Sequence, residues 1–495
     1  MLAAALLIVL LLVIAIAVFV QRKYCMDVPL ISEKELGAYT EGSSFDISQL
    51  TFNGEKAAVD QNRATVYISQ SADKLSHSAL LEGTLRHADP NCSLYFVRDG
   101  ALENIPAAVR SSTPLTLILS DGISYQRVSV IITTLPVVNM EGEITHKNDD
   151  NRDVLTGNIT LWAGFDPLLE QYSTKSSQLQ WHVRGSSSSG QAKNPWKLSL
   201  KDENGENRDL DFLGLGADDD WILNSLTIDD TKIKEKLVMD LWNVNAEATD
   251  YNFKMSTGEY VEVVINGEYL GLFLLQRRLD AKYLGLSEED VLLKSNTYGA
   301  PSAQELYEFV TPATNTDEIY SIMQRVYEGT DCSAYNLYNM IDTNLFLQLA
   351  SAVDHFGSKN MYHVLKHTEN GYEHFLLPWD TDLSFGLGWN DGYYYDYKAA
   401  MNVFNFRIET EGLKKAKPEY DQYASERWSE LRQSLLSEAN LLSYIDIFYG
   451  QLSESGAWIR DKSIWADRYG GEDTIDALKQ FICERIAVMD EYYSE

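Results

Sequence analysis

The sequence predicts an α+β protein in three parts: an N-terminal membrane helix, a small immunoglobulin-like β-sandwich, and a larger domain with an antiparallel sheet and a helical C-terminal lobe. Three observations carry that expectation. Residues 1–20 are uncharged and almost wholly apolar, residues 29–139 alternate in short runs between turn residues, and the chain after Tyr420 reads as amphipathic helix.

With 495 residues the chain exceeds one ordinary domain, and 45% hydrophobic content is ample for packed cores. The formal net charge of -32 is spread along the chain rather than held in a tail. Such a balance excludes unassisted binding to nucleic acid or an anionic membrane surface and favours a basic partner or a bound cation.

At ~1.5 Å per residue, a 20-residue apolar run covers the ~30 Å hydrocarbon core, so residues 1–24 are expected to be a transmembrane anchor. No Lys or Arg precedes it and no small-residue cleavage site follows, which argues against a cleaved signal peptide. Arg22 and Lys23 after the span would by the positive-inside rule put the remaining chain in the cytoplasm. The cysteines (Cys25, Cys92, Cys332, Cys483) show neither C-x-x-C nor zinc-ligand spacing.

Between residues 29 and 139, runs such as "ATVYIS", "CSLYFV" and "LTLILS", separated by Gly, Asp, Asn and Ser, predict the β-sandwich, with no visible site of its own. Residues 140–157 are polar and read as a linker. From 158 to 495 the pattern mixes α and β. Asn266-Gly267 between two apolar runs predicts a tight hairpin. Helical spacing marks residues 232–244 and 333–353, the latter with Leu337, Ile341, Leu345, Leu349 and Ala352 along one face.

The chemistry concentrates in "SAVDHFGSKNMYHVLKHTENGYEHFLLPWDTDLSFG", residues 351–386. A helix ending near Val353 delivers Asp354 to its C-terminal end, where the dipole disfavours a carboxylate, so the placement needs a reason. Asn360 follows, then the strand "MYHVLK", a turn at Asn370-Gly371, the returning strand "EHFLLP" and the pair Asp380-x-Asp382. The hairpin brings Asn360 and Asp380 to neighbouring strand ends with Asp354 close by. Carboxylates plus an amide oxygen are how hard divalent cations carrying phosphate are held. This order is the one in which protein kinases place a hydroxyl-orienting Asp, a metal-binding Asn and a metal-binding Asp, although neither "HRD" nor "DFG" occurs.

Bland readings stand beside these. Asp354 alone would be a helix-end cap; Trp196 and Trp379 read as core anchors; His367 and His374, facing each other across a two-residue turn, read as an exposed cross-strand pair. Asp380-x-Asp382 also fits the DxD of a nucleotide-sugar glycosyltransferase, which would want a parallel nucleotide-binding sheet ahead of it. Nothing resembles a Walker loop, a Gly-x-Ser-x-Gly elbow or His-Glu-x-x-His.

Five motifs in order resemble the CotH (spore coat protein H-like) family of atypical, secreted or surface-linked protein kinases: "RGSSSSGQAKNPWKLSL" (184–200), "DWILNSLTIDDTKIKEKLVMDL" (220–241), "VEVVINGEYLGLFLL" (261–275), "DHFGSKNMYHV" (354–364) and "PWDTDLSFG" (378–386). The resemblance runs from about residue 135 to the C-terminus. It implies transfer of the ATP γ-phosphate to Ser or Thr of an exported or surface protein, Ser-rich and basic, with Mg²⁺ or Mn²⁺. It assigns Asp354 as the catalytic Asp, Asn360, Asp380 and Asp382 as metal ligands, and Lys197 with Arg184 as ATP-phosphate contacts. By base rate, a lysine on an alternating strand faces solvent about as often as it binds phosphate.

One departure matters. Where many family members carry Glu after the "NGEYxGxYxL" hairpin, this chain has Gln276 and Arg277. The role of that Glu then passes to another acid, such as Glu259 or Glu262, or activity is weakened and the protein is a nucleotide-binding surface protein without turnover. On location, the resemblance favours the outside of the membrane and the flanking charges the inside; the resemblance is given precedence.

Overall fold

The computed structural model describes residues 24–42, 44–72, 81–148, 152–166, 171–185, 188–295, 297–388, 407–466, 471 and 473–494. The expected membrane helix lies outside them, and among the described residues no helix is long and apolar enough to cross a membrane. Two compact units form, each from three separated stretches: residues up to 225 with 259–275 and 451–466, and residues 226–258 with 276–450 and 467–495.

The first unit begins with an eight-stranded sheet rather than an immunoglobulin-like sandwich. Its strand order is Tyr24–Cys25, Val28–Ile31, Ser93–Val97, Leu115–Ser120, Ser124–Thr133, Thr65–Ser69 and Ala58–Asp60, with Thr40–Glu41 beside Ser124–Thr133. Val28–Ile31 runs parallel to Ser93–Val97, and Thr65–Ser69 parallel to Ser124–Thr133. Parallel neighbours need long crossovers instead of tight turns. Period-two alternation shows which face is buried but not which way the neighbouring strand runs, so the sequence pattern is silent on this point.

The same unit closes a seven-stranded barrel from Val137–His146, Val154–Asp166, Gln171–Val183, Trp196–Lys201, Asp220–Asn224, Glu268–Arg277 and Gly258–Ile265. Residues 140–157, expected as a linker, hold parts of its first two strands. All the barrel pairings with a described register are antiparallel except the closing one, where Val137 sits beside Glu262. Trp181, Trp221, Leu198, Leu200 and Phe273 are fully buried in its core. The Asn266-Gly267 turn is present as the sequence predicts: both residues have positive φ, 49° and 76°, as a type I′ hairpin requires.

The second unit is organised around the helix Leu337–Ala350. The sequence predicts a single apolar face, but nearly every residue from Leu337 to Ala350 is buried, because a sheet covers one side and the helices Tyr420–Arg432 and Ile475–Ser494 pack on others. The helical lobe expected after Tyr420 is therefore present, and the α+β class holds. The sheet has the order Tyr307–Phe309, Val291–Ser295, Met361–Thr368, Gly371–Pro378, antiparallel throughout. Asn339 ties helix to sheet: its Nδ2 donates to the Leu376 carbonyl (3.1 Å) and its Oδ1 accepts the Leu376 amide (2.6 Å).

The second predicted turn is shifted by one residue. Glu369 and Asn370 form the loop, and Thr368 pairs with Gly371. This register sets Lys366 opposite Glu373 and lets the Thr368 hydroxyl donate to the Gly371 carbonyl at 3.0 Å. His367 consequently faces Tyr372, and the imidazoles that meet are His363 and His374, 3.0 Å apart and fully buried rather than exposed.

Candidate functional site

Asp354 does not sit at a helix C-terminus. The helix stops at Ala350, Ser351 takes a left-handed conformation (φ 50°), and Asp354 falls in the first turn of a new 3-10 segment, Val353–Ser358, where a carboxylate opposes no dipole. Two backbone bonds lock this corner to the loop that follows the hairpin: the Val353 amide donates to the Leu383 carbonyl (3.1 Å) and the Phe385 amide to that of Ala350 (2.6 Å).

The Asp354 carboxylate is gripped by three side chains. Asn360 Nδ2 and Lys359 Nζ each donate to Oδ2 at 2.8 Å, and the Tyr298 hydroxyl donates to Oδ1. Lys359 Nζ also donates to the Tyr298 oxygen at 2.9 Å and stands 4.2 Å from the centre of its ring. Donors of this kind favour the ionised carboxylate. Tyr298 is 45% exposed, and its phenol is pushed above the ordinary value by desolvation and by its bond to Asp354.

Asn360 and Asp380 end neighbouring strands, joined by the Trp379 amide donating to the Asn360 carbonyl at 2.9 Å. Both have left-handed backbones, φ 56° and 59°, a conformation that Asn and Asp tolerate best and that costs about 1 kcal/mol or more in other side chains. Trp379 is a core anchor as expected, and His355 Nε2 bonds its carbonyl at 3.0 Å. Desolvation drives the His355 imidazole down to about 4, so it is neutral at physiological pH.

Asp382 completes the predicted set, and its carboxyl is held well above the usual range by desolvation, then by the charge of Asp380, then by that of Glu235, with Asp354 contributing further. Glu235, 5% exposed near the start of the helix Lys234–Glu247, is the acid that sequence reasoning missed. Gln276, the expected departure from the resembled motif, donates from Nε2 to Glu235 at 3.1 Å. Glu262 is unsuited to that replacement role, being fully buried against Arg460 (2.6 Å) and the Tyr269 hydroxyl. The available signal was a charged run, "KIKEK", at the head of an otherwise apolar helix.

Four acids thus crowd one locality, where Lys359 pairs with Asp354. Nearby, Thr381 Oγ1, Ser384 Oγ and Gln276 Oε1 are buried without a hydrogen-bond partner among the described residues. Mutually repelling carboxylates and orphaned oxygens are what a divalent cation neutralises and satisfies, so the residues fit Mg²⁺ or Mn²⁺. A separate acid triad, Asp209, Asp218 and Asp219, brings ligand oxygens within 4.8 Å of one another in the barrel unit.

Lys197 and Arg184 belong to the other unit. Lys197 pairs with Asp220 at 3.2 Å on the barrel strand Trp196–Lys201, and the Arg184 amide bonds the Pro195 carbonyl at 3.0 Å. The structure therefore groups Asp354, Asn360, Asp380 and Asp382 in one unit, and holds the two expected phosphate contacts elsewhere in the chain.

The chain matches no curated protein. A family model described as CotH kinase protein matches residues 181–489, which include every residue named in this site and more than half of the chain. By that match, the protein belongs to the CotH kinase family.

Proposed function

We propose that the protein is an atypical protein kinase that moves the ATP γ-phosphate to a Ser or Thr hydroxyl of an exported or surface protein. The observation that carries this reading is the Asp354 carboxylate, hydrogen-bonded by Asn360 and Lys359 beside the acids Asp380, Asp382 and Glu235. In this mechanism Asp354 accepts a hydrogen bond from the acceptor hydroxyl, orients its lone pair toward the γ-phosphorus and takes up the proton as the new P–O bond forms. Asn360, Asp380, Asp382 and Glu235 would hold the divalent cation. Bound there, it would neutralise charge on the triphosphate. Asn360 also fixes the carboxylate rotamer through its amide.

The surplus of acid argues for a basic, Ser-rich acceptor and against nucleic acid. The segment 1–24, apolar over residues 1–20, would anchor the protein with its catalytic part outside the membrane. The glycosyltransferase alternative loses its support, because the sheet ahead of Asp380-x-Asp382 is antiparallel.

The test is transfer of labelled γ-phosphate by the full-length chain with Mg²⁺ or Mn²⁺ to a Ser-rich basic protein, beside Asp354→Asn. Label that depends on Asp354 supports the kinase. No label, with a metal-dependent thermal shift by ATP, would replace it with nucleotide binding without turnover.

A further inference from the structure

Tyr298 has no role in the phosphoryl transfer just described, yet it makes the contact that a substrate should make. Its hydroxyl donates to Asp354 Oδ1, the carboxylate that in the proposed mechanism receives the acceptor's hydrogen bond. Its oxygen also accepts from Lys359 Nζ at 2.9 Å, and the lysine lies over the ring at 4.2 Å. A purely structural tyrosine would be expected to pack its ring into a core, but this one is 45% exposed and follows the strand Val291–Ser295 on a turn. Its phenol is thus fixed at the reactive end while its ring remains largely in solvent.

We propose that Tyr298 is an internal phosphate acceptor, held by Asp354 and Lys359 in the place an incoming hydroxyl takes and phosphorylated in cis. This inference rests on the kinase reading. In the step, the Tyr298 oxygen forms a bond to the γ-phosphorus of ATP, the bond from that phosphorus to the ADP oxygen breaks, and the phenolic proton passes to Asp354 and then to water. The product carries about two negative charges beside an ionised carboxylate, a repulsion that expels the modified side chain. Asp354 is then open to a second, external hydroxyl. Lys359 is a positioning residue here: it orients the phenol and offsets charge as the phosphate arrives.

The experiment incubates the full-length chain with ATP and Mg²⁺ or Mn²⁺, maps phosphorylated residues by mass spectrometry and follows transfer to a Ser-rich basic protein in the same tube. The expected result is phosphate on Tyr298 that forms at a rate independent of protein concentration, is absent in Asp354→Asn, and precedes external transfer, giving a lag. Tyr298→Phe should abolish the lag and raise initial external transfer roughly fivefold, the worth of one hydrogen bond no longer competing for Asp354. External transfer without phosphate on Tyr298 and without a change in Tyr298→Phe overturns the proposal and leaves the kinase reading intact. Phosphate on Tyr298 that persists in Asp354→Asn overturns it as well. No transfer to any residue, internal or external, overturns both together.

Discussion

Both units pair buried bases with acids, Lys234 of the second bonding Asp229 at 2.9 Å and Asp473 at 2.5 Å, but the second also sets Asp382 against other acids. In the first, every fully buried base described has its acid: Arg460 grips Glu262 at 2.6 Å, and Lys193 meets Asp461 at 2.7 Å while standing 4.7 Å from the Phe273 ring. In the second, Asp382 faces Asp380, Glu235 and Asp354. Matched pairs fix a fold and ask for nothing further. A surplus of acid leaves free energy unspent until a cation arrives. Within the second unit, the contrast between matched Lys234 and crowded Asp382 marks framework off from chemistry.

The sharpest test of this contrast is Asp354→Asn, expected to lower phosphoryl transfer about 10²- to 10⁴-fold while nucleotide-induced thermal shifts persist. Full activity in that variant would remove the chemistry from this locality. In the framework unit, Arg460→Met strands the Glu262 charge and should cost about 3–5 kcal/mol in denaturant melts, whereas Arg460→Met with Glu262→Leu should recover most of it. Equal losses in the single and double variants would mean that the pair is not what holds this region.

Acid should break the second unit through a different pair. His363 and His374 share one hydrogen bond, and desolvation drives His363 down to about 3 and His374 well below its ordinary value. The unfolded chain takes up protons near 6.5, so stability is full above that pH and falls as pH drops toward 3, by about 1.4 kcal/mol per pH unit for each imidazole. A flat stability profile between pH 6.5 and 5 would contradict this, and His363→Phe should flatten it in part.

A smaller effect, with the opposite sign, belongs to the acid cluster. Asp382→Asn relieves repulsion and should raise the metal-free melting stability by roughly 1 kcal/mol while reducing the shift produced by Mn²⁺. Smallest of all, Lys197→Met loses only a partly exposed pair with Asp220 and should change stability by less than about 1 kcal/mol in denaturant melts.

The part of the site carried by one hairpin was legible in the sequence: Asp354, Asn360 and Asp380 are local neighbours, and turn chemistry alone brings the last two to adjacent strand ends. Glu235 was not, because more than a hundred residues separate it from Asp354 and only tertiary packing joins them. Tyr298, 56 residues from Asp354, is joined to it only by tertiary packing and was missed too. The one-residue shift of the Glu369-Asn370 loop shows the limit of turn statistics: the register that lets the Thr368 hydroxyl bond the Gly371 carbonyl prevailed over the Asn-Gly signal. The parallel neighbours of the first sheet lay beyond alternation altogether.

The Lys193–Asp461 bond joins residues 268 positions apart, and Asp461 Oδ1 also accepts the Leu272 amide at 2.9 Å. During synthesis the barrel strands therefore emerge long before the short helix Ala457–Ile464 that neutralises their buried lysine. A nascent chain halted before residue 451 would carry an unquenched ammonium at the edge of an otherwise finished barrel. Completion of the first unit is in this way a check that the chain has been made beyond residue 451, and chains cut short of it should be open to proteases within that unit.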